Sequence, residues 1–138
     1  MKTIFVDTFY WVALINVADS WHHSVRNYSQ TLNNIQLVTT EEVLTETINF
    51  FASFPSPMKK AVSQLVTQII ADSNITVVPQ SHESFTAGLA LFNKRFDTGY
   101  SLTDCISMVT MKQLNITEVL THDKHFQQEG LIILFKDS

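Results

Sequence analysis

The chain has a single cysteine, Cys105, among its 138 residues, so no disulfide can form within it. This favours a reducing compartment, and we expect a cytoplasmic protein. Glycine and proline are scarce as well, with three residues each, which favours long regular elements, mostly helices. The sequence also lacks a hydrophobic run long enough to cross a membrane. Asp7 interrupts the apolar start of the chain, which argues against a signal peptide.

Positively charged residues are also few. Nine Lys and Arg residues face thirteen Asp and Glu residues, which gives a net charge of −4. A mildly acidic protein is not an obvious nucleic-acid binder, so such a role would need a local basic patch. The composition, 45% hydrophobic and 16% charged, is that of a globular chain. Its length predicts one domain over residues 1–138.

Short apolar segments alternate with segments of helical spacing along the chain. The expected strands cover residues 3–6, 36–38, 75–78, 119–121 and 131–135. A helix running through Leu32 is expected before the second strand, and Thr39 with Glu42 predicts a capping box after it. Strands that alternate with helices pair in parallel through right-handed crossovers. The expected fold class is therefore α/β, a three-layer α/β/α sandwich with a short parallel sheet.

Three aspartates occupy corresponding places in this plan. Asp7 follows the first strand directly, Asp123 follows the strand 119–121, and Asp104 lies in the first turn of a helix. Each has an ordinary interpretation as a helix-start or turn residue, and Ser101 with Asp104 alone is best explained as a capping box. The carboxyl ends of parallel strands share one edge of the sheet, however, so all three can converge there. Converging carboxylates repel one another, which favours a bound Mg²⁺ or Mn²⁺ ion.

A fourth acid comes from the helix after the second strand. Glu46 borders the apolar stripe of that helix, near Val43. Glu42 lies farther from the stripe and is expected to be more solvated, whereas the helical wheel alone does not exclude Glu41.

Four segments, taken together, resemble a known family. They are Val6-Asp7-Thr8, TTEEVLTETINF around Glu46, YSLTDCISM around Asp104 and LTHDKHFQQEG around Asp123. In this order, and over essentially the whole chain, they are similar to the PIN-domain ribonucleases, and among these to the VapC-type toxins of toxin–antitoxin pairs. The resemblance implies a single PIN-like domain that cleaves RNA with Mg²⁺ or Mn²⁺ and leaves 5′-phosphate and 3′-hydroxyl ends. It implies catalytic roles for Asp7, Glu46, Asp104 and Asp123, of which the three aspartates bind metal.

The same resemblance implies supporting residues and partners. The hydroxyl groups expected to orient carboxylates or waters belong to Thr8, Ser101, Thr103 and Thr121. The cationic side chains expected to meet the RNA backbone are Lys94, Arg95 and Lys124. The expected partners are an RNA substrate, a cognate antitoxin protein and a second copy of the chain in a homodimer, with no membrane.

Other functions remain as alternatives. His122 and His125 flank Asp123, but their spacing is not that of a zinc-protease helix, so we interpret them as surface groups or as groups behind the ligands. An aspartyl-phosphate phosphatase needs a second acid two positions after the first, where this chain has Phe9. A receiver domain needs an early acidic pair, which is also absent. A non-catalytic PIN-like module that binds RNA or protein stays open.

Overall fold

A five-stranded, fully parallel sheet forms the centre of the molecule. The computed structural model describes residues 1–136. The strands are β1 (Lys2–Val6), β2 (Ile35–Thr40), β3 (Ile75–Val78), β4 (Glu118–Leu120) and β5 (Ile132–Ile133), in the spatial order β3-β2-β1-β4-β5. β1 is central, with Ile4 opposite Leu37 on one side and Val6 opposite Leu120 on the other. The predicted α/β class is confirmed.

Helices cover the sheet. They are α1 (Thr8–Ile15), α2 (His22–Ser29), α3 (Glu41–Phe50), α4 (Ser56–Ala71), α5 (His82–Phe92), α6 (Leu102–Gln113) and α7 (His125–Gln128). Successive residues of a strand point to opposite faces, yet Ile4, Phe5 and Val6 are all buried. Both faces of the sheet are therefore packed, as the three-layer sandwich requires. None of the helices within residues 1–136 is long and apolar enough to span a membrane.

The strand order contains one reversal of direction, and it lies beside β1. The chain runs outward from β1 to β2 and β3, then returns past β1 to β4 and β5. The connections that follow β1 and β4 consequently lead away from each other and leave a crevice at the carboxyl ends of these two strands. In open parallel sheets such a crevice is the usual ligand site. Asp7 follows β1, and Asp123 lies three residues after β4.

The start of α3 differs from the sequence prediction. The capping box of Thr39 with Glu42 is wrong, because β2 continues two residues farther than expected, to Thr40. Thr40 is the N-cap, and its Oγ1 accepts a hydrogen bond from the backbone N–H of Val43 at 3.1 Å. Thr39 instead remains in the sheet, where its hydroxyl donates to the backbone oxygen of Val6 at 2.9 Å. This bond holds the end of β1 immediately before Asp7.

Two element ends are also shorter than predicted. The last strand covers only Ile132–Ile133, although the backbone N–H groups of Leu134 and Phe135 still donate to Val119 and Thr121. The second helix ends at Ser29, before Leu32. Hydrophobic spacing continues past both ends, so it does not reveal where the backbone leaves the regular conformation.

The helix that carries Asp104 is packed closely against its predecessor. A Cβ atom on Gly88 of α5 would lie 2.4 Å from Cγ1 of Ile106 in α6. Only glycine permits this approach. The contact at Ile106 holds α6 in place two residues after Asp104.

Candidate functional site

Asp7 occupies the N-cap position of α1 but its side chain does not cap the helix. Its Oδ2 instead accepts a hydrogen bond of 2.8 Å from Oγ1 of Thr121. The side chain is buried, with the residue only 5% exposed. Burial, followed by the negative charge of Asp104, raises the pKa of Asp7 to about 7. Helix capping therefore does not explain this aspartate, and its environment disfavours the ionised form.

Thr121 joins the two strand ends that border the crevice. Its hydroxyl donates to Asp7 and also accepts from the backbone N–H of Asp123 at 3.1 Å. Thr121 is fully buried, so this geometry is shielded from water. The loop after β4 is held against the end of β1, and Asp123 is oriented by the same side chain that orients Asp7.

Asp104 caps its helix and also lies close to the other acids. It forms the predicted capping box, in which Oγ of Ser101 accepts from the N–H of Asp104 and Oδ2 of Asp104 accepts from the N–H of Ser101, both at 3.0 Å. The same carboxylate also faces the crevice. Burial raises the pKa of Asp104, and the charges of Asp123 and Glu46 raise it further. The cap explains its position on α6, but not the other acids around it.

A histidine joins two of the aspartates in a compact group of atoms that could hold a metal ion. One ligand atom from each of Asp104, Asp123 and His125 lies within 4.8 Å of the other two. Nδ1 of His125 is 3.1 Å from Oδ1 of Asp123 and 3.7 Å from Oδ2 of Asp104. The sequence interpretation gave His125 no place among the ligand atoms. The available signal was its position two residues after Asp123, where α7 begins.

The choice among the three glutamates of α3 is made by their contacts. Oε1 of Glu46 accepts a hydrogen bond from the hydroxyl of Thr8, next to Asp7. Glu41 instead accepts from the backbone N–H of Gln80 at 2.7 Å, and Glu42 accepts from the hydroxyl of Ser84 at 3.3 Å. Glu46 is thus the glutamate that faces the aspartates. A pocket of about 270 Å³ beside it is lined by Glu42, Thr45, Glu46, Asn49, Gln80 and Thr103.

We call Asp7, Glu46, Asp104 and Asp123 the acidic cluster. Two of its members, Asp7 and Asp104, have raised pKa values, which means that the cluster holds its negative charge at a cost. Its donor atoms are carboxylate oxygens, the ligands that Mg²⁺ and Mn²⁺ bind in proteins. Chemically, the cluster fits a divalent cation that would offset this charge.

The comparisons with known proteins agree with this geometry. A family model for the PIN domain matches residues 4–129. The chain belongs to the PIN domain family. No curated protein matches the sequence.

Three solved structures share the PIN fold of this chain. VapC20 of Mycobacterium tuberculosis, described as a Sarcin-Ricin loop cleaving toxin, aligns with a TM-score of 0.83 at 20% identity over 94% of this chain and 96% of its own. A chain of VapBC2 from Rickettsia felis, bound to a promoter DNA fragment, aligns at 0.70 with 15% identity over 98% of both chains. A chain of FitAcB from Neisseria gonorrhoeae aligns at 0.65 with 15% identity over 96% of both.

A second group of charges in this PIN domain has a different character. Glu129, whose side chain is only 3% exposed, pairs with Nε of Arg95 at 3.1 Å and with Nζ of Lys112 at 3.0 Å. The hydroxyl of Tyr100 donates to it at 3.0 Å. Burial by itself would raise the pKa of Glu129, but the hydrogen bonds from these three side chains lower it to about 2. We call these four residues the Glu129 network.

The predicted RNA-contacting residues have unlike surroundings. Arg95 belongs to the Glu129 network, which holds its guanidinium through two hydrogen bonds. Lys94 and Lys124 are exposed, and Lys124 lies between Asp123 and His125 in the chain. Their contact with RNA stays a prediction.

Proposed function

We propose that this PIN domain is an endoribonuclease that hydrolyses RNA phosphodiester bonds with the help of Mg²⁺ or Mn²⁺. The observation that carries the proposal is the convergence of the acidic cluster on the crevice between β1 and β4. Asp7 is buried there and its pKa is raised to about 7, so a bound cation would stabilise its ionised form. Metal-dependent hydrolysis of a phosphodiester needs such a centre, whereas a module that only binds RNA or protein does not.

In this proposal Asp7, Asp104 and Asp123 hold the metal. Thr121 keeps the first and third of these carboxylates in register, because its hydroxyl contacts both residues. Ser101 orients Asp104 through the capping box. Glu46, fixed by the hydroxyl of Thr8, would orient the attacking water. Thr103 lines the pocket beside Glu46, where it would help to order that water.

A bound divalent cation would offset charge on the phosphate and make an adjacent water a better nucleophile. The residues then determine the geometry of the reaction. Glu46 lies on α3, which follows β2 on one side of β1, whereas Asp123 follows β4 on the other side. We therefore expect Glu46 to approach a water that the three aspartates do not hold themselves. The expected products carry 5′-phosphate and 3′-hydroxyl ends.

Binding of the RNA backbone would depend on few cations. Lys94 and Lys124 are the exposed candidates, and such contacts to phosphate are sensitive to salt and independent of sequence. Arg95 can contribute only while it also pairs with Glu129. We therefore expect weak general affinity for RNA.

The toxin role extends the proposal. VapC20 is described as a toxin, and its fold covers 94% of this chain, so we propose that this protein is the toxin of a toxin–antitoxin pair in the cytoplasm. An antitoxin would place an arginine or an acidic segment near the acidic cluster and exclude RNA. An adjacent gene for a small DNA-binding protein would support this role, and its absence would argue for a stand-alone nuclease.

We also propose a homodimer. Phe85 and Leu89 lie one turn apart on α5 and are 48% and 39% exposed, and Phe96 after the helix is 73% exposed. The ring of Phe96 is 6.0 Å from that of Phe92, which follows Leu89 by about one turn on α5. Exposed apolar side chains that lie together in this way are typical of interaction surfaces. Light scattering of the purified chain should give twice the monomer mass, and a monomer mass would refute the dimer.

The test of the nuclease is cleavage of single-stranded and structured RNA by the purified protein. Cleavage should occur with Mg²⁺ or Mn²⁺, stop with EDTA and fall about 100-fold or more in Asp104→Asn. Asp72→Asn is the matched control. Asp72 is exposed and its side chain caps a turn by accepting from Asn74, which asparagine can also do.

Two results would overturn the proposal. Equal cleavage by wild type and Asp104→Asn would point to a contaminating nuclease. No cleavage by folded wild type with either metal would favour the non-catalytic binding module.

A further inference from the structure

Nδ1 of His125 lies beside two carboxylates of the acidic cluster. It is 3.1 Å from Oδ1 of Asp123 and 3.7 Å from Oδ2 of Asp104. This atom is buried and makes no hydrogen bond within the described residues. Polar atoms buried next to two acceptors normally hydrogen-bond to one of them. A nitrogen in this position is therefore available to a ligand placed between the carboxylates.

The fold fixes the imidazole from two sides. The backbone N–H of His125 donates to Oδ1 of Asp123 at 2.9 Å, which places the side chain at the start of α7 beside that carboxylate. On the other side the ring lies against Gly99, where a Cβ atom would come within 2.9 Å of Nε2 and 3.1 Å of Cε1. The ring of Tyr100 lies 5.5 Å from the imidazole. Gly99 thus leaves the space that the ring occupies.

The separations suit ligands of one ion. Ligands of an octahedral ion lie at about 2.1 Å from it, so neighbouring ligands are about 3 Å apart. The nitrogen-to-oxygen distances of 3.1 and 3.7 Å are close to this spacing. Mg²⁺ prefers oxygen ligands and keeps its waters, whereas imidazole nitrogen is a good ligand for first-row transition ions. A nitrogen among the oxygens changes which ion the site favours.

We propose that Nδ1 of His125 is a metal ligand together with Asp104 and Asp123, and that it makes the site favour a first-row transition ion over Mg²⁺. This inference rests on the proposed function, because it specifies the cation of the same centre. The proposal also explains Gly99, because a larger residue there would prevent the imidazole from reaching the carboxylates.

The first test uses Mn²⁺ as the probe and a spectroscopic signature. Full-length wild-type protein with one equivalent of Mn²⁺ should show the electron spin-echo modulation of a directly bound ¹⁴N nucleus. The modulation should disappear in His125→Gln and remain in His82→Gln, a control at an exposed histidine at the start of α5. Absence of nitrogen modulation in wild type, or its persistence in His125→Gln, would overturn the proposal.

The second test compares the affinities for two metals by calorimetry. His125→Gln should weaken Mn²⁺ binding about 10-fold or more while Mg²⁺ binding changes less than about twofold. Gly99→Ala should move the same ratio in the same direction, because the added methyl group displaces the ring. An equal loss for both metals would show a merely structural role and contradict the inference. If His125→Gln does not fold, Gly99→Ala and the wild-type spectrum decide.

These outcomes are separate from failure of the nuclease proposal. Metal-dependent RNA cleavage without nitrogen coordination would refute only the role of His125. Nitrogen-coordinated Mn²⁺ without RNA cleavage would support the ligand assignment and refute the ribonuclease. Absence of Mn²⁺ binding in folded wild type would refute the role of His125, and absence of both Mn²⁺ and Mg²⁺ binding would refute the metal-dependent ribonuclease as well.

Discussion

The acidic cluster and the Glu129 network show two ways of holding carboxylates in one small domain. Glu129 receives three partners from the chain itself, and its pKa falls to about 2. Asp7 is also buried, but its neighbours include other acids, and its pKa rises to about 7. The first carboxylate is stabilised in its charged form by the protein, whereas the second is not.

We interpret the Glu129 network as a structural group and the acidic cluster as the proposed metal site. A network whose charges are paired by its own side chains stabilises the fold and needs nothing further. A cluster of carboxylates that disfavours its own ionised form would be stabilised by a bound cation. Groups with such shifted pKa values in a crevice are typical of functional sites. The two regions should therefore respond in opposite ways to mutation, metal and pH.

The largest expected difference is in activity. Asp7→Asn should lower metal-dependent RNA cleavage about 100-fold or more, because a metal-binding carboxylate is lost. Glu129→Gln should lower it less than about tenfold, since Glu129 pairs with Arg95 and Lys112 and is not among the proposed metal ligands. Single-turnover cleavage rates, measured well below each variant's melting temperature, check both values. Similar losses of cleavage activity in the two variants would contradict the distinction between the acidic cluster and the Glu129 network.

Bound metal should raise the unfolding free energy through the acidic cluster and independently of the Glu129 network. A cation at 100 times its dissociation constant should raise the unfolding free energy of the wild type by about 2.7 kcal/mol. Glu129→Gln should retain this increment and Asp104→Asn should lose most of it. Thermal unfolding with and without Mn²⁺ measures the effect. An increment of the same size in Asp104→Asn would place the metal elsewhere.

Loss of the Glu129 carboxylate should reduce stability. Glu129→Gln should cost about 1–3 kcal/mol of unfolding free energy at neutral pH, because buried hydrogen bonds to a charged acceptor are weakened. The pKa of Glu129 is lowered, so this contribution is present above about pH 4.5 and is lost as the pH falls toward 2. Urea unfolding of both proteins at pH 7 and pH 3 tests this. A stability gap that widens at pH 3 would contradict the account.

The pH dependence at Asp7 should have the opposite sign. Its pKa is raised from 3.8 to about 7, so the contribution of Asp7 to the stability of the metal-free protein is fully present below about pH 4 and is lost as the pH rises to 7. The slope is at most about 1.4 kcal/mol per pH unit. Asp7→Asn removes this contribution, so its stability relative to wild type should improve across that window in EDTA. Parallel curves for the two proteins would show that Asp7 is not perturbed.

The smallest expected effect concerns RNA affinity. Lys94→Gln should reduce the slope of log affinity against log salt by about 0.7, as one lost phosphate contact would. Arg95→Gln should change this slope less and lower stability more, because its guanidinium pairs with Glu129. Fluorescence anisotropy with a short single-stranded RNA measures the slopes. A larger salt effect from Arg95→Gln would assign the RNA contact to that residue.

The fold and the placement of the three aspartates are predictable, because both depend on periodic and local sequence signals. Alternating apolar strands and helices determine the parallel sheet, and Asp7 and Asp123 follow strands that end at its functional edge. Thr39 and His125 were not predictable in the same way. The contacts that they make depend on the register of β1 against β2 and on the gap at Gly99, which no local pattern encodes. Among the glutamates, only the tertiary contact with Thr8 distinguishes Glu46.

The most direct measurement is an anomalous difference map from crystals of the wild-type protein soaked in Mn²⁺. We predict a manganese peak within bonding distance of Asp104 and Asp123, on the side of the crevice that Asp7 borders. A map with manganese only at surface carboxylates, or with none in this crevice, would contradict the claim that the acidic cluster is a cation centre.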